Sequence, residues 1–244
     1  MIIVGNFKSY LTSKEDAESV VKAAGKLKTK HKIILAPSFP HLGYVASKKM
    51  GVSLAAQDLS IFEGGAHTGE VSADTLSNIG AEYVIVGHSE RRAAGETNSI
   101  VATKVCQALS SKLKVVLCVG EADRDAHATY LSFITDEMVS ALKTIKETDF
   151  KNVVIAYEPI WAIGKSTEEA ITSDDLEEMV LYIKKILREN FGEKAQKSIK
   201  IIYGGSVSAD NAQSLMVSGI DGFLPGRASS TKETLTALVA ALDA

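Results

Sequence analysis

The feature that most constrains the fold of this 244-residue chain is a series of eight short apolar runs, most of them rich in Val and Ile. None of these runs alternates cleanly between apolar and polar residues, as a half-exposed strand would. Continuous apolar strands are buried on both faces, which is typical of a parallel sheet covered by helices. The runs span 2–6, 32–38, 52–57, 83–89, 114–121, 152–158, 199–205 and 221–226.

Helical patterns separate these strands. Ser13, with Asp16 three residues later, predicts the capped start of a first helix. Another pattern predicts a helix from Ser208 to Gly219, between the last two strands. Strands that alternate with helices form either a closed barrel or an open doubly wound sheet, because parallel strands need right-handed crossovers.

The number of strands decides between these two architectures. No G-x-G-x-x-G motif follows the first strand, which disfavours an open dinucleotide-binding sheet. Eight βα units in 244 residues favour a closed barrel, and no linker or composition shift divides the chain. We therefore predict an α/β protein with one domain, residues 1–244, forming a closed eight-stranded parallel (β/α)8 barrel.

Charge and cysteine content narrow the classes of function. The 27 Lys and Arg residues against 30 Asp and Glu give a net charge of −3, without a basic footprint for nucleic acid. The five His lack metal-ligand spacing, and two Cys suit a reducing compartment. The N-terminus resembles a first strand more than a signal peptide, and no apolar run approaches the ~20 residues of a membrane span. We expect a cytoplasmic protein that binds no metal, nucleic acid or membrane.

Polar residues follow the predicted strands at their carboxyl ends, where barrel enzymes carry their functional side chains. A carboxylate and an imidazole without a nucleophile–base pair favour proton abstraction next to a carbonyl. Glycine-rich ends of the last two strands, each followed by a helical pattern, favour phosphate binding by backbone N–H groups. The polar and glycine residues concerned are Asn6, Lys8, Gln57, His88, Ser89, Glu90, Glu121, Glu158, Gly204, Gly205, Ser206, Gly226 and Arg227.

Six segments, in order along the whole chain, resemble those of the triosephosphate isomerase family. This resemblance implies a (β/α)8 TIM barrel that interconverts dihydroxyacetone phosphate and D-glyceraldehyde 3-phosphate through an enediolate, without a cofactor, in glycolysis and gluconeogenesis. The segments are VGNFK (4–8), GAHTGE (65–70), VIVGHSERR (84–92), AYEPIWAIG (156–164), YGGSV (203–207) and GFLPGRAS (222–229).

The resemblance also implies roles for individual residues. Glu158 would be the base that moves a proton between two substrate carbons, and His88 would polarise the carbonyl as a neutral imidazole. Lys8 would supply positive charge near the enediolate, with Glu90 holding it in place. Asn6 would bind the substrate.

The phosphate site is implied by the same resemblance. Gly164, Ser206 and the backbone of Gly226 and Arg227 would hold the phosphate. Pro225 and Arg227 stand where the family commonly has an aliphatic residue and a second glycine, so the Arg227 side chain must either point away or contact the phosphate. The segment from Lys165 to Thr172 is about one residue longer than the family's lid.

The 58–70 loop implies a homodimer, since in the family it inserts into the other subunit. Thr68 would then reach the neighbouring active site. From the residues alone, the same loop could equally be a surface loop of a monomer. Two other functions remain open at this point: another phosphate-binding barrel enzyme, such as a sugar-phosphate epimerase, and a barrel that binds triose phosphates without turnover.

Overall fold

The computed structural model describes residues 1–164 and 171–244, and its strands form a closed parallel barrel. Each strand pairs with its neighbour in the chain, and the eighth pairs with the first. The predicted eight-stranded (β/α)8 barrel is therefore confirmed. The strands are β1 Ile2–Asn6, β2 Lys32–Ala36, β3 Ser53–Ala56, β4 Tyr83–Val86, β5 Lys114–Val119, β6 Val153–Tyr157, β7 Lys200–Tyr203 and β8 Gly222–Phe223.

Helices surround the barrel on its outside. Ser13 caps the first of them by accepting a hydrogen bond from the Asp16 N–H, as predicted. None of the helices within the described ranges is both long enough and apolar enough to cross a membrane. The helices are α1 Lys14–Ala24, α2 Phe39–Ser47, α3 Ala73–Asn78, α4 Ser89–Ala93, α5 Asn98–Ser110, α6 Thr129–Leu142, α7 Ser173–Ser198 (interrupted at Gly192) and α8 Lys232–Asp243.

The helix predicted from Ser208 to Gly219 is wrong. This segment forms turns with isolated helical hydrogen bonds, such as that from the Ala212 N–H to the Ser208 carbonyl. The Asn211 side chain accepts from the Ser208 N–H at 2.8 Å and donates to the Ser206 carbonyl at 2.9 Å. These contacts resemble those of a helix start, but the helical backbone hydrogen bonds that follow, such as that from the Leu215 N–H to the Asn211 carbonyl, are not consecutive.

Two apolar clusters account for the continuous hydrophobicity of the strands. Successive strand residues point to opposite faces, so one set lies between sheet and helices and the other inside the barrel. The outer set includes Ile3, Leu35, Val84, Leu117, Ile155 and Ile201. The inner set includes Val4, Ile34, Ile85, Val116, Val154 and Ile202.

The amino-terminal end of the barrel is closed by paired polar groups. The Nζ atoms of Lys32 and Lys114 lie 5.0 and 5.2 Å from the centre of the Tyr83 ring. His31 Nδ1 lies 3.2 Å from the amino group of Met1, and its Nε2 lies 3.3 Å from an Asp243 oxygen. These contacts join both chain ends to the sheet.

Candidate active site

The Glu158 carboxylate lies at the carboxyl end of β6 and is only 1% exposed. One oxygen, Oε2, accepts a hydrogen bond from the Ser89 N–H at 3.1 Å. The other, Oε1, lies 3.4 Å from His88 Nε2 and makes no hydrogen bond to any residue of 1–164 or 171–244. A buried carboxylate oxygen without a hydrogen bond is costly, and it is available to accept a proton.

His88 lies at the start of α4 and is also buried. Its Nδ1 accepts a hydrogen bond from the Glu90 N–H at 3.2 Å. A ring nitrogen that accepts cannot carry a proton, so this contact assigns the proton of a neutral imidazole to Nε2. The Nε2–H group is the one beside Glu158.

Lys8 is held beside these two residues in a left-handed backbone conformation, with φ of 45°. Its N–H donates to Asn6 Oδ1 at 2.9 Å, and the Gln57 side chain donates to its carbonyl at 2.9 Å. Its Nζ pairs with Glu90 Oε1 at 2.7 Å. Backbone strain of this kind persists only where surrounding contacts enforce it, as Asn6 and Gln57 do here.

Two glycines after β7 make room for neighbouring side chains. A Cβ atom on Gly204 would lie 2.8 Å from Glu158 Cγ, and one on Gly205 would lie 2.0 Å from the Tyr203 hydroxyl. Both distances are too short for non-bonded atoms. Of the glycine pair that the sequence suggested for phosphate binding, Gly204 therefore also admits the Glu158 side chain, and Gly205 admits that of Tyr203.

The predicted phosphate residues line a single cavity of about 550 Å³ together with Lys8 and His88. The Gly164 N–H donates to Ser206 Oγ at 3.2 Å. Gly226 and Arg227 lie at the start of a 3-10 turn, where a Cβ atom on Gly226 would lie 3.4 Å from Lys8 Cε, and Arg227 is exposed. The structure thus brings all four residues to the cavity that contains the buried imidazole.

A buried cluster around Glu121 holds the chain just beyond Glu158. Glu121 Oε1 accepts from the Tyr157 hydroxyl at 2.8 Å, the Trp161 ring N–H at 2.9 Å and Arg124 Nε at 3.0 Å. Burial, with the nearby Glu121 carboxylate, raises the pKa of Tyr157, so its hydroxyl remains a donor. The cluster fixes the direction in which the chain leaves the site.

Cys118 lies inside the barrel near Glu158. Burial and the Glu158 carboxylate raise the pKa of the Cys118 thiol well above its ordinary value. The thiol is therefore protonated and packs as a small apolar side chain.

Two predicted features are not part of the active site described above: one lies elsewhere on the surface, and the other lies mostly outside the described residues. Thr68 lies in the exposed part of the 58–70 loop, where the Phe62 and His67 rings stack at 3.5 Å. Of the unusual segment from Lys165 to Thr172, residues 165–170 lie outside the described residues. No group of three or more His, Cys, Asp or Glu side chains in the described parts of the chain is placed to hold a metal ion.

Sequence reasoning assigned no role to two groups that the structure brings into the site. Gln57 directly follows the third predicted strand, and this position could have identified it as a residue of the site. The Ser89 N–H gave no signal, because a backbone donor is invisible in the sequence. Glu90 was expected to hold Lys8, and the two side chains do pair.

Comparisons with known proteins show the family to which the chain belongs. A family model described as triosephosphate isomerase matches residues 1–242. A triosephosphate isomerase of Alkaliphilus oremlandii is 37% identical over 245 residues, and the match covers 98% of each chain. One of Caldanaerobacter subterraneus subsp. tengcongensis is 40% identical with the same coverage. One of Zygosaccharomyces bailii is 39% identical over 94% of this chain and 93% of its own. The chain therefore belongs to the triosephosphate isomerase family.

Proposed function

We propose that Glu158, His88, Lys8 and Asn6 perform the isomerisation of triose phosphates that membership of this family assigns to the chain. The observation that carries the assignment is the buried Glu158 Oε1, which has no hydrogen bond within the described residues and lies 3.4 Å from His88 Nε2. A base and a proton donor are thus adjacent beside a cavity lined by phosphate-binding backbone.

The reaction moves two protons. Converting dihydroxyacetone phosphate into glyceraldehyde 3-phosphate takes one proton from C1 to C2 and another from O1 to O2. Glu158 takes the C1 proton as the enediolate forms and returns it to C2. His88 donates its Nε2 proton to O2 and recovers one from O1, so both side chains end in their starting state.

Lys8 and Asn6 stabilise the charge that develops on the two substrate oxygens. The ammonium group of Lys8 is fixed by Glu90, and fixed charges need no reorganisation when the enediolate forms. Asn6 is buried and shares its side-chain oxygen with the Lys8 N–H, which leaves its amide N–H₂ to donate to the substrate.

The phosphate group would occupy the part of the cavity formed by Gly164, Ser206, Gly226 and Arg227. The Gly164–Ser206 hydrogen bond is exchanged for bonds to phosphate oxygens when substrate binds. The backbone N–H groups of Gly226 and Arg227 approach from the opposite side, and the Arg227 guanidinium adds a charge-assisted bond.

The decisive experiment is a coupled assay of glyceraldehyde 3-phosphate isomerisation by the parent chain, Glu158→Gln and His88→Gln. We expect kcat to fall by ~10³ to 10⁴ for Glu158→Gln and by ~10² for His88→Gln, because each removes a proton-transfer group. Glu189→Gln, a matched change at an exposed position of α7, keeps the parent activity.

An inactive parent that is folded and binds 2-phosphoglycolate would overturn the enzymatic assignment. It would favour the alternative of a barrel that binds triose phosphates without turnover. Equal activity of the parent and Glu158→Gln would instead show that another residue is the base.

We also propose a homodimer formed through the 58–70 loop. The proposal is supported by the exposure of residues 62–70 and by a smaller cavity of about 160 Å³ beside Asn6, Lys8 and Glu90, which is suited to receive Thr68 of a second copy. Sedimentation equilibrium should give twice the chain mass for the parent. Thr68→Glu should shift the protein towards monomer, whereas Ser132→Glu, exposed on α6, should not.

A single barrel domain over residues 1–244 and a cytoplasmic location complete the proposal. The continuous ring of strands supports one domain, and the free thiols of Cys106 and Cys118 suit a reducing compartment. A single cooperative unfolding transition and recovery with the cytoplasmic fraction are the corresponding measurements.

A further inference from the structure

A largely buried ion pair lies close to the two proposed proton-transfer residues, and the Arg92 N–H donates to the His88 carbonyl at 3.0 Å. Glu137, in the middle of α6, is 1% exposed, and its Oε1 lies 3.2 Å from Arg92 Nη1. Arg92 belongs to α4, the short helix that begins directly after His88. The reaction proposed above uses neither member of this pair.

Glu137 is connected to Glu158 through one peptide group. Glu137 Oε2 accepts from the Gly120 N–H at 2.9 Å, and the carbonyl of the same Val119–Gly120 peptide accepts from the Glu158 N–H at 2.8 Å. A Cβ atom on Gly120 would lie 1.8 Å from the Glu158 carbonyl oxygen, so the two backbones are in direct contact. The position of this peptide plane therefore fixes where the Glu158 backbone lies.

Arg92 makes the equivalent connection to His88. Its Nε donates at 2.9 Å to the Gly87 carbonyl, which belongs to the peptide that enters His88. Gly87 has φ of 71°, and an added Cβ would lie 3.2 Å from both Arg92 Nη2 and the Cys118 carbonyl. Arg92 Nη1 also donates to Asn98 Oδ1 at 2.7 Å, which ties the guanidinium to α5.

We propose that Arg92 and Glu137 form a positioning pair, which sets the separation between the Glu158 carboxylate and the His88 imidazole by holding the peptide before each of them. The inference rests on the proposed function of those two residues. The ion pair is a side-chain connection between the two peptide planes, additional to the direct pairing of β4 with β5 and to the bond from the Ser89 N–H to Glu158 Oε2.

The electrostatics of Glu137 agree with a positioning role. Burial raises its pKa to about 7, although Arg92 and the Gly120 N–H both favour the carboxylate. Glu158 and Glu121 add to the rise. A buried ion pair of this kind contributes little net stability compared with apolar residues of similar size. What apolar residues could not supply is the pair of hydrogen bonds to Gly87 and Gly120.

The test replaces the whole pair. In Arg92→Met/Glu137→Met no unpaired charge is left, so the fold should survive while both peptide contacts are lost. We expect kcat to fall by roughly 10- to 100-fold with KM unchanged, because misplacing reacting groups by about 1 Å has effects of this size and the phosphate residues are untouched. The single variant Glu137→Gln can still accept a hydrogen bond from the Gly120 N–H. We expect it to keep most of the kcat of the parent.

Met138→Ala is the matched control, because Met138 is a fully buried neighbour on α6. It should destabilise the protein and keep kcat. A double variant with the kcat of the parent would overturn the inference, as would an equal loss of kcat in Met138→Ala.

Arg92→Lys provides a second variant should the double change fail to fold. It keeps the charge, but its single nitrogen cannot take the places of both Nε, which bonds the Gly87 carbonyl, and Nη1, which pairs with Glu137. We expect kcat to fall again and KM to stay unchanged. An unchanged kcat would contradict the inference. An inactive parent would overturn the proposed function itself, whereas an active parent with fully active pair variants would overturn only the inference.

Discussion

The two ends of the barrel are built from similar residue types but differ in what their polar groups contact. At the amino-terminal end, two lysines lie over the Tyr83 ring, and His31 Nδ1 lies 3.2 Å from the Met1 amino group, while its buried Nε2 makes no hydrogen bond within the described residues. At the carboxyl end, Lys8 has a strained backbone and Glu158 Oε1 is buried without a hydrogen bond within the described residues. The polar groups of the first end contact other residues of the chain, and we propose that those of the second are left for the substrate.

The largest expected effect concerns Glu137, which bonds the Gly120 N–H at the carboxyl end of the barrel. We expect this residue to make the stability of the protein depend on pH. Its pKa is raised to about 7, so between pH ~4.5 and 7 the native state keeps a proton that the unfolded chain has lost. The free energy of unfolding contributed by this group therefore falls as pH rises through that window. Denaturation of the parent and Glu137→Gln from pH 4.5 to 8 should show the parent losing roughly 3 kcal/mol relative to the variant. Parallel stability curves would contradict this expectation.

The next effect concerns Gly204. In Gly204→Ala the new Cβ would lie 2.8 Å from Glu158 Cγ, so the carboxylate must move. We expect kcat to fall by roughly 10- to 100-fold with little change in the unfolding midpoint, measured by the coupled assay and by thermal denaturation. Gly43→Ala in α2 is the control, since no atom lies within 4 Å of its added Cβ and its activity should be that of the parent. Full activity of Gly204→Ala would place the catalytic conformation of Glu158 elsewhere.

The smallest expected effect tests the amino-terminal end. Tyr83→Leu removes the ring face from Lys32 and Lys114, which should lower the free energy of unfolding by about 1 kcal/mol and leave kcat unchanged. Tyr83→Phe retains the ring and should behave as the parent. Stability is measured by urea denaturation and kcat by the coupled assay. A loss of kcat in Tyr83→Leu would show that the amino-terminal end also affects activity.

The architecture could be predicted because its signal is repeated. Eight apolar runs and the helical patterns between them limited the chain to two architectures, and the barrel was the correct one. The segment from Ser208 to Gly219 was predicted wrongly because its composition suits a helix, whereas its helical backbone hydrogen bonds are isolated and form only turns. The sequence pattern does not report whether a first helical turn is continued.

The candidate site was predictable where a residue type carried chemistry directly after a strand. Glu158, His88 and Lys8 were proposed in this way; in the structure His88 and Lys8 line one cavity, and Glu158 Oε1 lies 3.4 Å from His88 Nε2. Glu137 was not singled out, although its spacing from Ile134 and Ala141 places it on the apolar face of α6, where a carboxylate is unexpected. Only the packing of α6 against β5 buries it beside the Gly120 N–H.

The sequence by itself determined the strands, their parallel arrangement and the residues available at their carboxyl ends, since these follow from hydrophobic pattern and chain order. The tertiary structure decided which strand residues face the barrel interior, which N–H group bonds His88 Nδ1, and which side chains bond the peptides next to Glu158 and His88. These depend on contacts between residues distant in the chain, and such contacts exist only once the barrel has closed.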